Sequence, residues 1–464
     1  MKTFCKSFCI FLFLNYLFSM HLYSQHWQAL NKGLDLAPVC FYTDTANDKL
    51  YIGGWFKMEL ADSTYMTAIA TWNGLNFSPV GCGFDWNCVS PIGLGAIIGP
   101  VVCITKYNGD IYAGGSFLKA DNKPIKGLAK WNGITWDSVR TGVDWVKKIL
   151  VNNNDLYISG SFDNQTVYFT KWNGTSWTNL PSVSNYTCDG INDMIFYKGE
   201  LYICGKWDSA GFVEVVYKWD GINWQHVGNG IHGSWSGLNC MAVYKNELYV
   251  GGLFTKADGN PGNFIAKWDG SSWSDVGGGL GGLNGQVFDL KIFNNELYAV
   301  GVFISAGGVP AQYIAKWDGT NWCGLGSYFD NIIERVCVYQ DNLYIGGGIW
   351  TIDSDSMNYV AKWTGGNYVD TCGNMTGVNE IVNEKNNINV YPNPSDGAFT
   401  IRQPADGTLQ PSIYIYNNLG KLVYKKEKVT QGSEQIDLSA YSKGIYFIKM
   451  QDGEKSYSKK MILE

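Results

Sequence analysis

The tripeptide Trp-(Asn/Asp)-Gly recurs at Trp72, Trp131, Trp172, Trp219, Trp268 and Trp317, and a seventh copy at Trp363 reads Trp-Thr-Gly. The intervals are 59, 41, 47, 49, 49 and 46 residues. A period of this length means that one supersecondary unit is copied, and such a unit buries its apolar face only against a neighbouring copy. The repeat therefore governs the fold of most of the chain, and it names no ligand or reaction.

The copy from Leu238 to Leu280 is the clearest. It reads as four short strands, A to D: NCMAVY, LYVGGLF, FIAKW and WSDVG. Turn residues separate them, and Asp-Gly between aromatic-bearing strands signals a hairpin because those residues tolerate positive φ. A four-residue loop there sets Trp268 against Trp273. Strand B recurs as LYIGG at Leu50, IYAGG at Ile111, LYISG at Leu156, LYICG at Leu201, LYVGG at Leu248, LYAVG at Leu297 and LYIGG at Leu343. D-like strands number one more than B strands, and the extra one is WQALNKGL at Trp27. Closing a ring of four-stranded blades protects its last sheet edges. The expected fold is all-β: a seven-bladed β-propeller over residues 26–372, closed by the Trp27 strand, then a small C-terminal β-sandwich. The competing arrangement closes the ring with the strand at Tyr368. The double glycine ending strand B, with aromatics in the later strands, resembles the kelch-type propeller family. That resemblance implies the fold and carries no function, since propellers host many.

Both ends of the chain differ from the repeat. Residues 1–25 read as a secretory signal: Lys2 and Lys6, an apolar run from Phe8 to Phe18, then a polar stretch. The run is too short to span a membrane, and no later stretch is long enough. Residues 373–387 read as a polar linker. From Ile388 to Glu464 the pattern is alternating strands with Gly and Pro turns. Its pieces YPNPSDG (Tyr391–Gly397), YNNLGK (Tyr416–Lys421), the run from Asp437 to Lys449 and the terminal KKMILE resemble the type A C-terminal sorting domain of type IX secretion. The resemblance implies export across the outer membrane of a Gram-negative bacterium by the type IX machinery, acting on residues 388–464. The protein is then secreted or held at the outer cell surface.

The whole chain carries −6, and the signal and the C-terminal region each carry +2, which leaves about −10 between them. That balance disfavours nucleic acid and anionic lipid as partners. Export makes disulfides plausible for the cysteines outside the signal, and Cys82 and Cys88 flank a short loop. Counting nine residues back from the Tyr of strand B in copies two to seven gives Cys103, Lys148, Asp193, Cys240, Asp289 and Arg335; in the first copy the turn is two residues longer, which puts Cys40, eleven residues back, in that column. Strand A lies innermost, so this column rings the channel. Its neighbours read as structural struts between blades: Cys40 with Cys103, Lys148 with Asp193, Asp289 with Arg335.

Strand alternation puts the D–A and B–C connections on one face and the tight A–B and C–D turns on the other. Function tends to sit on variable loops held by a rigid scaffold. Six tryptophans fall outside the repeat positions. Trp86, Trp145 and Trp235 fall in D–A connections, and Trp55, Trp207 and Trp350 follow the B-strand glycine. All six map to the loop-rich face as candidate ligand-binding aromatics. No catalytic, metal or cofactor motif stands out: His26, His226 and His232 are too few for a His-type centre, and no His-Glu-x-x-His, Gly-x-Ser-x-Gly or phosphate loop is present. The first reading is a binding module for polysaccharide or protein. The alternative is a secreted glycan-degrading hydrolase or lyase with its site, a pair of carboxylates, on the loop-rich face.

Overall fold

The computed structural model describes residues 27–59, 65–84, 99–163, 167–181, 183, 191–205, 213–214, 216–232, 237–257, 260–282, 285–365, 389–393, 395–402, 411–417, 421–429, 433–452 and 455–463. The signal segment 1–25 and the linker 373–387 fall outside them. The chain divides into two units, Met1–Met375 and Thr376–Glu464.

Seven antiparallel sheets of the first unit share one strand order, A–B–C–D. Blade 1 begins with strand A at Pro38–Asp44, blade 2 at Val101–Tyr107, blade 3 at Val143–Asn152 and blade 4 at Ile191–Tyr197. Blades 5, 6 and 7 begin at Gly237–Tyr244, Gln286–Phe293 and Ile333–Tyr339. Each A strand contacts the next, and the A strand of blade 7 contacts that of blade 1, so the sheets form a closed propeller. The D strand of blade 7 is Trp27–Ala29, which pairs with Val360–Trp363.

The repeated tripeptide is a turn device. Asn73, Asn132, Asn173, Asp220, Asp269 and Asp318 each accept backbone amides two and three residues on. The glycine after each holds positive φ, from 94° to 114°, a region that only glycine enters without cost. The hairpin then brings two aromatic rings together. Trp268 and Trp273 sit 5.3 Å apart, and equivalent pairs in the other blades lie at 4.7 to 5.4 Å. Each pair contributes about 0.5–1.5 kcal/mol beyond its buried area.

Blades are also stitched to one another. On the outside, Trp136, Trp224, Trp273 and Trp322 donate their indole N–H to a carbonyl of the preceding blade. On the tight-turn face, Tyr107, Tyr197, Tyr244 and Tyr339 donate their hydroxyls to the A–B turn of the following blade. These eight buried or half-buried donors thus find partners across the seams between blades.

The second unit holds a three-stranded sheet (Asn389–Tyr391, Ala398–Arg402, Ser433–Asp437) and a four-stranded sheet (Leu422–Lys426, Ser412–Asn417, Gly444–Asp452, Lys455–Leu463). They share a core of Ile401, Ile413, Ile415, Ile436, Ile448 and Met461. The motifs from its two ends meet: Ser395 N donates to Ile462 O, and Ile462 N donates to Asn393 Oδ1.

Candidate functional site

Every A strand carries a β-bulge one residue before the column position. The extra residues are Val39, Val102, Lys147, Asn192, Asn239, Phe288 and Glu334. A bulge twists the strand and re-aims its side chains. In six blades both the bulge residue and the column residue consequently line one axial cavity of about 820 Å³; in blade 7 Arg335 alone does so.

The bulge accounts for the double glycine. It pushes the carbonyl two residues upstream onto the second glycine of strand B. A Cβ there would lie 1.9 Å from Pro100 O at Gly115, 2.2 Å from Trp145 O at Gly160 and 2.0 Å from Gln286 O at Gly301. All seven copies keep this second glycine. The first glycine faces the column instead. Where it is present in blades 1, 2 and 5, a cysteine fills the hollow: Cys40 Sγ lies 2.6 Å from the Cβ position of Gly53, Cys103 Sγ 2.6 Å from that of Gly114, and Cys240 Sγ 2.8 Å from that of Gly251.

That packing corrects the expected strut of Cys40 with Cys103. Both are buried free thiols, turned onto their own blade's glycine, and the Cys40 thiol donates weakly to Val101 O at 3.6 Å. Burial pushes the Cys40 thiol up to about 12 and raises Cys103, Cys240 and Cys337 as well. These are inert packing groups, since the thiolate is the reactive form. Cys82 and Cys323 are each engaged in a disulfide; Cys88 lies outside the described residues. At least five more thiols are expected to react with Ellman's reagent after guanidinium denaturation than before it, namely Cys40, Cys103, Cys204, Cys240 and Cys337. Reaction of these five in the native protein would contradict the packing.

Lys148 and Asp193 form an ion pair of 2.6 Å across blades 3 and 4. Burial works against the Lys148 charge, but the Asp193 carboxylate outweighs it and raises the pKa. Asp193 also accepts Met194 N in its own strand and Met241 N in blade 5, both at 2.8 Å. The expected pairing of Asp289 with Arg335 is corrected. Asp289 accepts Leu290 N at 2.9 Å and Val336 N at 3.0 Å, and Arg335 donates to Val39 O in blade 1 and to Glu334 O. Beside the Lys148–Asp193 pair, Asp193, Asp289 and Arg335 each reach forward to a backbone group of the next blade. Burial pushes the Asp289 carboxyl up, against the pull of Arg335 and the Val336 amide.

The loop-rich face carries a second tier. D–A connections join the B–C hairpin of the following blade: Phe84 bridges Ala120, Ile231–His232 pairs with Lys256–Ala257, Leu280–Gly281 pairs with Ser305–Ala306, and Phe329 bridges Ile352. Buried Phe56, Phe117, Phe162, Phe254 and Phe303 anchor strand B beneath it.

Of the six candidate tryptophans, Trp86, Trp207 and Trp235 lie outside the described residues. Trp145 is corrected: it belongs to strand A of blade 3 and lines the channel, because the connection from blade 2 is short and that strand starts at Val143. Trp55 and Trp350 are 44% and 54% exposed on the loop-rich face. Leu36, Leu118, Ile304 and Tyr328 are exposed there too, and sequence reasoning missed them. Leu118 and Ile304 had a signal, since each directly follows the buried Phe. These six side chains belong to consecutive blades 6, 7, 1 and 2. Hydrogen bonds tie much of the sector together: Tyr328 N to Asp353 Oδ1, Met357 N to Trp350 O, Leu34 N to Asn358 O, and Lys57 N to Asp35 Oδ1. The opposite face exposes Leu75, Ile134 and Ile222 singly at hairpin tips.

Residues 389–464 match the secretion system C-terminal sorting domain. This domain marks the protein for export by type IX secretion to the cell surface or beyond. No helix among the described residues is long and apolar enough to cross a membrane. No curated protein matches the chain. Among solved structures it is similar to the extracellular domain of a hybrid two-component system protein from B. thetaiotaomicron, 10% identical over 92% of this chain and 72% of that one, with a TM-score of 0.27. It is also similar to the β-propeller domain of the Trilobed protease from Pyrococcus furiosus, 10% identical over 73% and 96% of the two chains, TM-score 0.39. A protein of unknown function from Dyadobacter fermentans is 10% identical over 62% and 96%, TM-score 0.32.

Proposed function

We propose that the propeller is exported cargo that binds an extracellular glycan or protein through its loop-rich face. The observation that carries this reading is the run of exposed large apolar side chains over adjacent blades, Leu36, Trp55, Leu118, Ile304, Tyr328 and Trp350. A group of this kind on one face favours a partner that covers it. Indole and phenol rings suit either a sugar face or a protein surface, and the aliphatic members tilt the balance toward protein. The hydrolase alternative needs a free acid and base. Asp193 and Asp289, the carboxylates of the channel, already accept two backbone amides each.

A polysaccharide and surface-protein array, scored for both binding and released product, tests the reading. The double variant Trp55→Ala/Trp350→Ala is expected to lose binding by about tenfold or more with an unchanged unfolding midpoint. Binding equal to wild type would refute the face, and released product would favour the hydrolase.

A further inference from the structure

We propose that the axial channel is a binding site for an anionic group, a carboxylate, sulfate or phosphate, held by Arg335 and Lys291. This site is separate from the loop-face sector and stands without it. The cavity, about 820 Å³, has the size of a pocket for a small ligand. Three cationic side chains on its wall, Lys148, Lys291 and Arg335, face two carboxylates, Asp193 and Asp289. Lys147 also lines it and has a partner of its own.

The pairs do not cancel evenly. Lys148 and Asp193 neutralise each other at 2.6 Å. Asp289 spends both oxygens on backbone amides. Arg335 gives Nε and Nη1 to the carbonyls of Val39 and Glu334. Carbonyls solvate a guanidinium without removing its charge, and Nη2 has no protein acceptor among the described residues. Lys291, two residues after Asp289 on the same strand, is exposed and makes no ion pair among the described residues. The channel is therefore net positive within a propeller segment of about −10. Low-dielectric walls concentrate that local field, and a guanidinium and an ammonium lining one cavity from neighbouring blades offer donors suited to an oxyanion. Trp145 on the same lining offers a ring for the body of a sugar acid.

The test is titration calorimetry of the full-length protein at low ionic strength with sodium sulfate, D-glucuronate and polygalacturonate, and with glucose as the neutral control. Saturable binding of at least one anion is expected, weakened about tenfold by Lys291→Gln or Arg335→Gln and untouched by Lys49→Gln on an outer position. A tighter polymer than monomer identifies an acidic polysaccharide as the source, and sulfate alone identifies a free small anion. Lys291 is exposed, so its variant keeps the test valid if Arg335→Gln disturbs the fold. The proposal falls if none of the three anions saturates, or if Lys291→Gln binds as wild type does.

Discussion

The Gly301→Ala variant is expected to lose about 3 kcal/mol or more of stability, read as a lower urea midpoint at unchanged slope. The new methyl would sit 2.0 Å from Gln286 O and 2.9 Å from Val287 Cα. Both are backbone atoms, so no rotamer change relieves the clash. Relief requires strand A of blade 6 to move, and that strand carries Asp289 and hence the contact to Val336 in blade 7. The control is Gly237→Ala, where the added methyl meets nothing within 4 Å. That change is expected to be neutral or to stabilise by up to about 1 kcal/mol, by restricting the unfolded chain. Equal effects at the two positions would mean that the bulge does not drive the carbonyl into strand B.

This bulge marks the limit of what the sequence could disclose. The turns were legible, because Asn73 or Asp269 followed by a positive-φ glycine is local chemistry. So were the aromatic pairs, which follow from hairpin register. Counting back from the Tyr of strand B placed Cys40, Lys148, Asp193 and Arg335 in one column, and all four line one cavity. The Lys148–Asp193 pair was legible as well, and it closes at 2.6 Å; the partners of Cys40, Asp289 and Arg335 were not. A residue inserted before each column position rotates the wall, and the next blade then offers backbone amides or carbonyls where a charged side chain was expected. The cysteines were read as bonding partners because their role depends on a hollow left by Gly53 and Gly114, which no local pattern reports. The exposed sector from Ile304 through Trp350 to Leu118 emerges only when blade order becomes spatial order.

Removal of the closing side chain is expected to produce the other large effect. Trp27→Ala should cost about 3–5 kcal/mol. Trp27 is 1% exposed and packs edge-on against Trp363 at 4.8 Å and Phe329 at 5.9 Å. Its three-residue strand provides the only D strand of blade 7 among the described residues, so the loss falls where the two ends of the propeller meet. Local opening there would expose Val360–Trp363 as an unpaired edge, and limited proteolysis should cut first on either side of it. Trp27→Phe separates packing from polarity. The Trp27 indole N–H has no acceptor among the described residues, whereas that of Trp273 donates to Val227 O at 2.9 Å. Phenylalanine at Trp27 therefore removes an unsatisfied donor, while phenylalanine at Trp273 leaves a buried carbonyl short of its partner. Trp27→Phe should accordingly be the milder of the two by about 1 kcal/mol. The reverse order, or a Trp27→Ala protein as stable as wild type, would show that the ring does not depend on its N-terminal strand.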